Sequence, residues 1–472
     1  MVLVRRNWLI VYLMSCLQVL AACSERAEPG QYLPADEITA ASAVLIPNQQ
    51  TKAVETILTF RNLEKIDHIL VRKSGGTSYS RRVNRDELSA AYPLIYQVEA
   101  SDPTSFKLVL SAHYKDGNVS NDLILTVDNR WGFFIRSVER VARVTGRPAR
   151  DEPFPTPVNT ATEWNVGGTD LGVIWEMDPG QYGIFFGDTY GSDFAPNPGN
   201  PGPNGGSWRS NVLGFSSDKD LTDGFTISRM AEDSGGNARE IIAGGKDESG
   251  NGDWTSIPTA AVRANGHDYV HYFNLRSWTG WVTNYSGLYK STDDGHSWSV
   301  CGNVRFGSNS GFGQVGYFKK DGYVYMIGTQ TGRDSPARLA RFRESDIENQ
   351  AAYAYWNAVS EQWVVGDETQ ATVIIDDTVG ELSFIYNQKH QKWIIAYFNA
   401  DRYNITMRTA EELTGPWSEP YELAAGSEYP QLYGSYFHPL SVSSDDLYFT
   451  MSMWMPYNVF LMKAELADMG DF

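Results

Sequence analysis

Two aspartates in the middle of the chain stand among glycines and small residues. Asp170 lies in the segment GGTDLG (167–172), and Asp188 lies in the segment FGDTYG (186–191). A glycine beside an acid leaves room for a ligand to approach the backbone. Two carboxylates that face one cleft are the minimum requirement for glycoside hydrolysis. The alternative is that both are turn residues that cap the ends of hairpins.

Further polar and aromatic residues occupy positions where a strand would ordinarily carry an apolar side chain. Each of them alone is more often a satisfied core residue. A whole set is harder to explain in this way, because a polar group buried without a partner costs about 1–3 kcal/mol. Lining a polar cleft removes that cost, so we predict that the set binds substrate. Its members are Trp208, Arg209, Asn211, His271, Asn274, Gln314, Arg333, Asn387, His438 and Asn458.

The strand pattern predicts a fold that brings such scattered residues together. After residue 160 the chain reads strand, turn, strand, and it shows no long helical periodicity. The segment STDDGHSW (291–298) resembles the Asp-box, a hairpin turn between the outer strands of propeller blades. An all-β fold with a five-bladed β-propeller is therefore predicted, in which the first strand of each blade faces a central channel. The predicted blades are 163–230, 255–302, 311–345, 379–420 and 434–466.

The N-terminal part predicts export and a small accessory domain. Arg5 and Arg6 precede an apolar run that ends in LAAC, and this segment resembles the bacterial lipobox, in which Cys23 would be lipidated. The alternative is a secretory signal that is cut nearby, with Cys23 incidental. We predict a signal peptide at 1–22, a tether at 23–50, an immunoglobulin-like β-sandwich at 51–147, a Pro-rich linker at 148–160 and the propeller at 161–472.

Charge and composition narrow the range of partners. The net charge is −18 and becomes −20 once residues 1–22 are removed, because they contain two arginines and no acid. Such a protein is a poor ligand for nucleic acid or polyanions and is compatible with neutral glycans. No His/Cys cluster suits zinc, so no cofactor is predicted, and a structural Ca²⁺ stays open. Cys301 is the single cysteine left beside Cys23 and is interpreted as a buried, inert thiol.

Several segments, taken in order, resemble the endo-D-arabinanases of glycoside hydrolase family 183, formerly a domain of unknown function. They include GGTDLG, FGDTYG, WRSNVLGFSSDKDLTDG (208–224), NYSGLYKSTDDGHSW (284–298), DGYVYMIGTQTGR (321–333), GELSFIYN (380–387), YGSYFHP and SMWMPYNVFLMK. The resemblance spans Trp164 to Leu466. It implies a five-bladed propeller that cleaves internal α-D-arabinofuranosyl linkages of mycobacterial arabinogalactan and lipoarabinomannan.

The resemblance also implies roles for three acids. Asp170 matches the acid of the first family motif and is assigned as a catalytic carboxylate, in the role of general base. Asp188 matches the second motif and is the partner acid, or a neighbour that tunes a pKa. Glu381 lies in a matching segment and is the alternative acid.

Two other functions are compatible with the sequence. A sialidase-like glycosidase would need an arginine triad, for which Arg209, Arg333 and Arg338 are available. A non-catalytic surface lipoprotein would bind glycans without cutting them, and would keep its affinity when Asp170 is replaced. In each case the expected partner is an extracellular polysaccharide, and the expected location is the bacterial outer surface or periplasm, with the lipid anchor as the only membrane contact.

Overall fold

The computed structural model describes residues 38–45, 47, 53–74, 79–99, 102, 105–128, 133–196, 202–203 and 205–468. They fall into two compact units that divide between Asn129 and Arg130. The predicted signal peptide and the predicted lipidation site, Cys23, lie outside the described residues. Within those residues, no helix is long and apolar enough to cross a membrane.

The N-terminal unit contains two sheets. Its strands are β1 (Ile38–Ala40), β2 (Val44–Leu45), β3 (Ala53–Phe60), β4 (Ile66–Ser74), β5 (Ser80–Asn84), β6 (Ala91–Gln97), β7 (Ser105–Tyr114) and β8 (Leu123–Asp128). One sheet has the order β1-β3-β6 and the other has the order β2-β8-β7-β4-β5. Along β3, Val54, Thr56 and Leu58 are buried while Glu55 and Ile57 are exposed, as expected for a strand with one face on a core. An immunoglobulin-like sandwich for this unit stays a prediction.

The C-terminal unit is built almost entirely of antiparallel strands. They are β9 (Phe133–Arg143), β10 (Leu171–Asp178), β11 (Gln181–Phe186), β12 (Val212–Ser216), β13 (Arg229–Met230), β14 (Thr255–Ala264), β15 (His267–Ser277), β16 (Val282–Ser291), β17 (Ser299–Gly307), β18 (Gln314–Lys320), β19 (Tyr323–Thr329), β20 (Ser335–Arg343), β21 (Ala354–Asn357), β22 (Gln362–Val365), β23 (Val373–Val379), β24 (Leu382–Asn387), β25 (Lys392–Asn399), β26 (Asn404–Ala410), β27 (Tyr421–Ala425), β28 (Leu432–Phe437), β29 (Leu447–Met453) and β30 (Asn458–Asp468).

Helices are short in both units. The α-helix α1 covers Thr160–Trp164, and 3-10 turns lie at Leu63–Lys65, Arg85–Glu87, Glu344–Asp346, Gln350–Ala352, Glu368–Gln370 and Pro439–Val442.

The sheets of the C-terminal unit are the five blades of a propeller. Blade 1 is β10-β11-β12-β13, blade 2 is β14-β15-β16-β17, blade 3 is β18-β19-β20-β21-β22 with β23 on β20, blade 4 is β24-β25-β26-β27, and blade 5 is β28-β29-β30-β9. The first strands β10, β14, β18, β24 and β28 contact one another in turn, and β28 contacts β10, which closes the ring. The middle strand β25 is buried at every residue, because neighbouring blades cover both of its faces. The predicted all-β, five-bladed fold is confirmed.

The last blade is closed by a strand that the sequence assigned to the accessory domain. β9 pairs antiparallel with β30, from Arg143 opposite Phe460 to Phe133 opposite Asp468. The Pro-rich segment that follows β9 also packs on this unit. Arg143 donates to Glu152 at 2.9 Å, and the ring of Phe154 lies 5.9 Å from that of Phe460. The predicted domain boundary at 147 and the linker at 148–160 are therefore wrong, since the C-terminal unit begins at residue 130.

The segment 291–298 connects the outer strands β16 and β17 of blade 2. Asp293 Oδ1 accepts from the backbone N–H of Ser297 at 2.8 Å, and Trp298 Nε1 donates to the carbonyl of Gly295 at 3.1 Å. The Trp298 ring packs 5.3 Å from Phe185 in blade 1, so this turn helps to join two blades. Cys301 is buried beyond this turn, and burial raises the pKa of its thiol to about 12.

Candidate active site

A cavity of about 550 Å³ opens on the face of the propeller where the five first strands begin. All three predicted catalytic acids line it. Its walls are largely aromatic, and the lining includes Asp170, Asp188, Tyr190, Trp208, Glu248, Trp254, Trp278, Trp281, Gln314, Arg333, Glu381, Tyr433, Trp454 and Tyr457. A larger space of about 700 Å³ lies at the other end of the first strands and contains none of the three predicted acids. The smaller cavity is therefore the candidate active site.

Unusual backbone directs Asp170 into this cavity. The next residue, Leu171, has φ 68°, and Gly172 has φ 89°. A non-glycine residue in the left-handed region is strained and is found preferentially at functional sites. The ladder between β10 and β11 shifts register at this point. A Cβ at Gly187 on the neighbouring segment would collide with Oδ1 of Asp170, so this glycine makes room for the carboxylate.

The carboxylate of Asp170 lies in a poorly solvated place. Its Oδ2 accepts from the hydroxyl of Tyr433 at 2.9 Å, while its Oδ1 is buried and has no hydrogen-bond partner among the described residues. Burial raises the pKa of Asp170 to about 8, with a further contribution from the negative charge of Asp188. The hydrogen bond from Tyr433 opposes this rise. Asp170 is therefore mostly protonated at neutral pH.

Asp188 is also buried, but it accepts more hydrogen bonds from protein groups than Asp170 does. Its Oδ1 accepts from Trp208 Nε1 at 2.8 Å and from the hydroxyl of Thr255 at 2.7 Å. Burial raises the pKa of Asp188 to about 6, against these two hydrogen bonds and the positive charge of Lys246. Because its pKa lies below that of Asp170, Asp188 is the more ionised of the two at neutral pH.

Lys246 lies over the Trp208 ring, and its positive charge lowers the pKa of Asp188. Its Nζ lies 4.2 Å from the centre of the Trp208 ring and is held by Ser210 Oγ at 2.6 Å and by Glu240 Oε1 at 2.7 Å. A cation over an indole face is attracted by the ring quadrupole. Lys246 thus fixes the ring that donates to Asp188, and nothing in the sequence alone pointed to it.

Glu381, the alternative acid, is paired with a cation. Arg333 Nη2 donates to Glu381 Oε1 at 2.6 Å, and Arg333 Nε lies 3.1 and 3.2 Å from the two carboxylate oxygens. The guanidinium also packs 5.2 Å from the Trp281 ring and 5.1 Å from the Tyr433 ring. A carboxylate engaged in this way holds Arg333 in place and is poorly suited to exchange a proton with substrate.

Three of the ten predicted substrate-binding residues, Trp208, Gln314 and Arg333, line the cavity. The other seven do not. Arg209 donates to the carbonyls of Ala238 and Asn165, both at 2.7 Å, and neither Arg209 nor Arg338 lines the cavity. The arginine triad that a sialidase-like site would need is therefore not assembled by these residues.

Four predicted asparagines bind protein groups instead. Asn211 donates to the carbonyls of Ile242 and Ser256, and Asn274 donates to Asp253. Asn387 and Asn458 are likewise occupied. Asn387 Nδ2 donates to the carbonyl of Ser441 at 2.8 Å, and Asn458 Oδ1 accepts from Thr145 at 3.0 Å. Their polar atoms join strands to loops, which explains why they are buried without cost.

The two predicted histidines are also structural. His271 Nδ1 lies 2.9 Å from Thr259 Oγ1, and His438 Nδ1 accepts from the backbone N–H of Leu440 at 3.1 Å. Burial lowers the pKa of each to about 3, so both are neutral. Neither lines the cavity. Among the described residues, no group of three or more His, Cys, Asp or Glu side chains could hold a metal ion.

Most of the aromatic wall was missed from the sequence. Trp278 and Trp281 lie in or beside the β15–β16 turn, and Trp454 and Tyr457 lie in the β29–β30 turn. The short segments SWTGW (277–281) and WMPY (454–457) carried a signal, because each concentrates large rings in a hairpin turn.

A family model described as a domain of unknown function, DUF4185, matches residues 156–463. Notoamide biosynthesis cluster protein J′ of Aspergillus versicolor is 29% identical over 307 residues, which are 62% of this chain and 82% of that protein. The uncharacterized 35.9 kDa protein in the asd 3′ region of Mycolicibacterium smegmatis is 28% identical over 227 residues, which are 42% of this chain and 65% of that protein.

Solved structures with a similar fold include a family 117 glycoside hydrolase of the marine bacterium Zobellia galactanivorans. It is 10% identical, with a TM-score of 0.41, over 71% of this chain and 92% of that chain.

Proposed function

We propose that this chain, which belongs to the family described as DUF4185, is a glycoside hydrolase that cuts D-arabinan at internal α-D-arabinofuranosyl linkages. The observation that carries the proposal is the pair Asp170 and Asp188 in one aromatic cavity. Their pKa values are raised to about 8 and about 6. Two carboxyl groups whose environments separate their pKa values are suited to opposite roles as acid and base.

The pKa values favour a division of labour opposite to the assignment made from the sequence. Protonated Asp170 would donate its proton to the glycosidic oxygen as that bond to the anomeric carbon breaks. Ionised Asp188 would accept a proton from the attacking water, or would itself attack the anomeric carbon. The distance between carboxyl groups in the substrate complex decides between these steps: about 5–5.5 Å implies retention and about 6.5–9.5 Å implies inversion. We propose inversion, and proton NMR of the first-formed product tests it.

The charges around the cavity favour a neutral chain as substrate. The cavity is lined by the acidic side chains of Asp170, Asp188 and Glu248. Its cation, Arg333, is already paired with Glu381. An anionic polymer would be repelled, while indole rings cover the C–H faces of uncharged sugars. The choice of D-arabinofuranose rests on the family resemblance of segments such as GGTDLG and FGDTYG. Mycobacterial arabinogalactan and lipoarabinomannan are the expected polymers.

We propose that the enzyme works at the bacterial cell surface or in the periplasm, tethered through a lipid on Cys23. A polymer too large to import must be cut outside the cytoplasm, which agrees with the lipobox-like segment LAAC. Cys23→Ala should release the protein from the membrane fraction or block its processing. If the variant fractionates with membranes as the parent does, the proposal of a lipid anchor on Cys23 is contradicted.

The function is tested by incubating the protein with mycobacterial arabinogalactan and, separately, with plant L-arabinan. A ladder of oligosaccharides from the first and no product from the second is expected. Activity on L-arabinan alone, or free pentose as the only early product, would contradict the proposal. A protein that binds D-arabinan, cuts nothing and keeps its affinity as Asp170→Asn would be a glycan-binding protein instead.

A further inference from the structure

Among the aromatic side chains that line the cavity, two perpendicular pairs lie at hairpins of the blades on either side of blade 1. Trp454 and Tyr457 lie in the hairpin between β29 and β30 of blade 5, and their rings are 5.8 Å apart at 90°. Trp278 and Trp281 lie at the hairpin between β15 and β16 of blade 2, and their rings are 5.1 Å apart at 88°. The two pairs have the same perpendicular geometry.

The position of the pairs follows from the order of the blades. Asp170 and Asp188 belong to blade 1, whose first strand β10 contacts β28 of blade 5 on one side and β14 of blade 2 on the other. The two acids therefore lie between the two aromatic pairs. A chain that passes over the acids from blade 5 to blade 2 would meet one pair before the reacting bond and the other pair after it.

One ring of each pair is fixed by the fold. Tyr457 is 2% exposed, and its carbonyl accepts from the backbone N–H of Thr169 at 2.8 Å. Trp281 lies against Arg333 and has the ring of Phe273 at 6.3 Å. The fixed ring holds its partner in place, so the protein would lose little side-chain entropy when a ligand packs on the pair.

The other ring of each pair keeps part of its surface open to water, although Trp278 also packs on the edge of the core. Trp454 is 41% exposed, next to Met455 at 37%. Trp278 is half-buried. An indole left open to water beside a cavity forgoes the free energy that burial would supply, which is typical of a binding surface.

We infer that the two pairs are sugar-binding platforms on opposite sides of the bond to be cut, so that an uncharged furanose chain lies from blade 5 across blade 1 to blade 2. The inference rests on the proposed function for the place where the bond is cut. Apolar faces of sugar rings pack on the indoles, and the acids act between them. Binding on both sides would make the enzyme cut within the chain rather than at its end.

The first experiment follows the place of cleavage in a linear α-D-arabinofuranosyl oligosaccharide labelled at its reducing end. Removing a platform weakens binding on one side only. Trp454→Ala and Trp278→Ala should therefore move the main cleavage position in opposite directions along the chain. Trp363→Ala is the matched control, because Trp363 is a half-buried indole on β22 of blade 3 that does not line the cavity. Circular dichroism and thermal melting check that all three variants are folded.

The second experiment measures binding without cleavage, by affinity electrophoresis of the Asp170→Asn protein in gels containing D-arabinan. Adding Trp454→Ala or Trp278→Ala should weaken affinity about tenfold each, as loss of a central aromatic contact does, and adding Trp363→Ala should not. Unchanged affinity and cleavage position, or shifts in the same direction, would overturn the platforms while leaving hydrolysis intact. If the parent protein itself does not cut arabinan, but Trp454→Ala and Trp278→Ala weaken binding, the platforms are supported and the proposed function is overturned.

Discussion

Acidic side chains are withdrawn from bulk water at two places in the propeller, but different groups face them. One place holds the pair Asp170 and Asp188 in blade 1, and the other holds Asp377 between blades 3 and 4. Asp377 Oδ2 accepts from Arg402 at 2.7 Å, Arg408 at 2.8 Å and Tyr397 at 2.7 Å. Burial alone would raise the pKa of Asp377, but these hydrogen bonds hold it well below its usual value.

Among the described residues, no arginine forms a hydrogen bond or an ion pair with the two acids of blade 1. Asp170 accepts from the hydroxyl of Tyr433, its other oxygen has no partner in the part of the chain that the structure describes, and its neighbour is another acid. Burial therefore dominates at Asp170 and is overcome at Asp377. A buried carboxylate that keeps its proton near neutral pH can act as an acid, whereas one that is permanently ionised between arginines stabilises the fold. The comparison predicts opposite consequences for the same substitution at the two places.

The largest effect is expected on catalysis. Asp170→Asn and Asp188→Asn should each reduce the rate of arabinan cleavage by about 10²–10⁴-fold, the usual contribution of general acid–base catalysis. Both proteins should stay folded, because Asn has nearly the same shape. Asp377→Asn, assayed per folded molecule, should stay near the parent rate. A loss of less than about tenfold at Asp170 or Asp188 would remove that residue from the mechanism.

Replacing Asp377 should reduce the stability of the fold. Asp377→Asn removes the charge that two arginines face, and breaking a buried ion pair costs about 3–5 kcal/mol. Urea unfolding of the variant and the parent at pH 7 measures the difference. An unchanged free energy of unfolding would mean that Asp377 contributes little, and the contrast with blade 1 would fail.

Gly187→Ala tests whether the position of Asp170 matters as much as its pKa. The added Cβ would collide with Oδ1 of Asp170 and push the carboxyl away. A displacement of about 1 Å can cost about 10²-fold in rate. Gly302→Ala is the matched control on β17, because a Cβ there meets nothing within 4 Å. Equal rates for the two variants would show that the space beside Asp170 is unimportant.

The pH dependence should report both acids. Activity should rise with pH as Asp188 ionises near pH 6 and fall as Asp170 loses its proton near pH 8. Lys246→Met removes a positive charge that lowers the pKa of Asp188, so the rising limb should move to higher pH by about half a unit to one unit. Lys246→Arg should restore it. Lys290→Met, which removes a lysine paired with Glu348 far from the acids, should leave the profile unchanged.

The last effect has the opposite sign to that at Asp377. The folded state holds the proton of Asp170 up to about pH 8, while the unfolded chain releases it near pH 4, so the parent loses stability as pH rises between these values. Asp170→Asn removes this penalty and should raise the melting temperature at pH 7 by several degrees. The gain should vanish below pH 4. A lower melting temperature at pH 7 would contradict the assigned pKa.

The fold was largely predictable because its signals are local. Repeated hairpins and the turn at 291–298 predicted five blades, and each predicted range contains the first strands of one sheet. β9 was placed in the wrong domain because its partner, β30, lies at the other end of the chain. Strand pairing of this kind leaves no local pattern to detect.

The candidate site was predictable in part. Asp170 and Asp188 stand near glycines in the sequence, and one of these, Gly187, makes room for the carboxylate of Asp170. Asn211 or His271 gave the same signal as a ligand-binding residue, namely a polar side chain in an apolar strand. Their partners are loop carbonyls or a hydroxyl far away in sequence, such as Ile242 for Asn211 and Thr259 for His271. The sequence alone cannot show which of these groups needs a partner.

The strand β9 has a consequence for any shortened form of the protein. The family match covers residues 156–463, so a fragment cut to that match would lack β9 and leave the remaining part of β30, residues 458–463, as an open edge. An open edge strand of this length is a template for pairing with another chain. Two outcomes follow: the fragments aggregate, or β9 supplied by a second, intact molecule completes the ring. The residues that seal the propeller therefore lie outside the segment that defines its family.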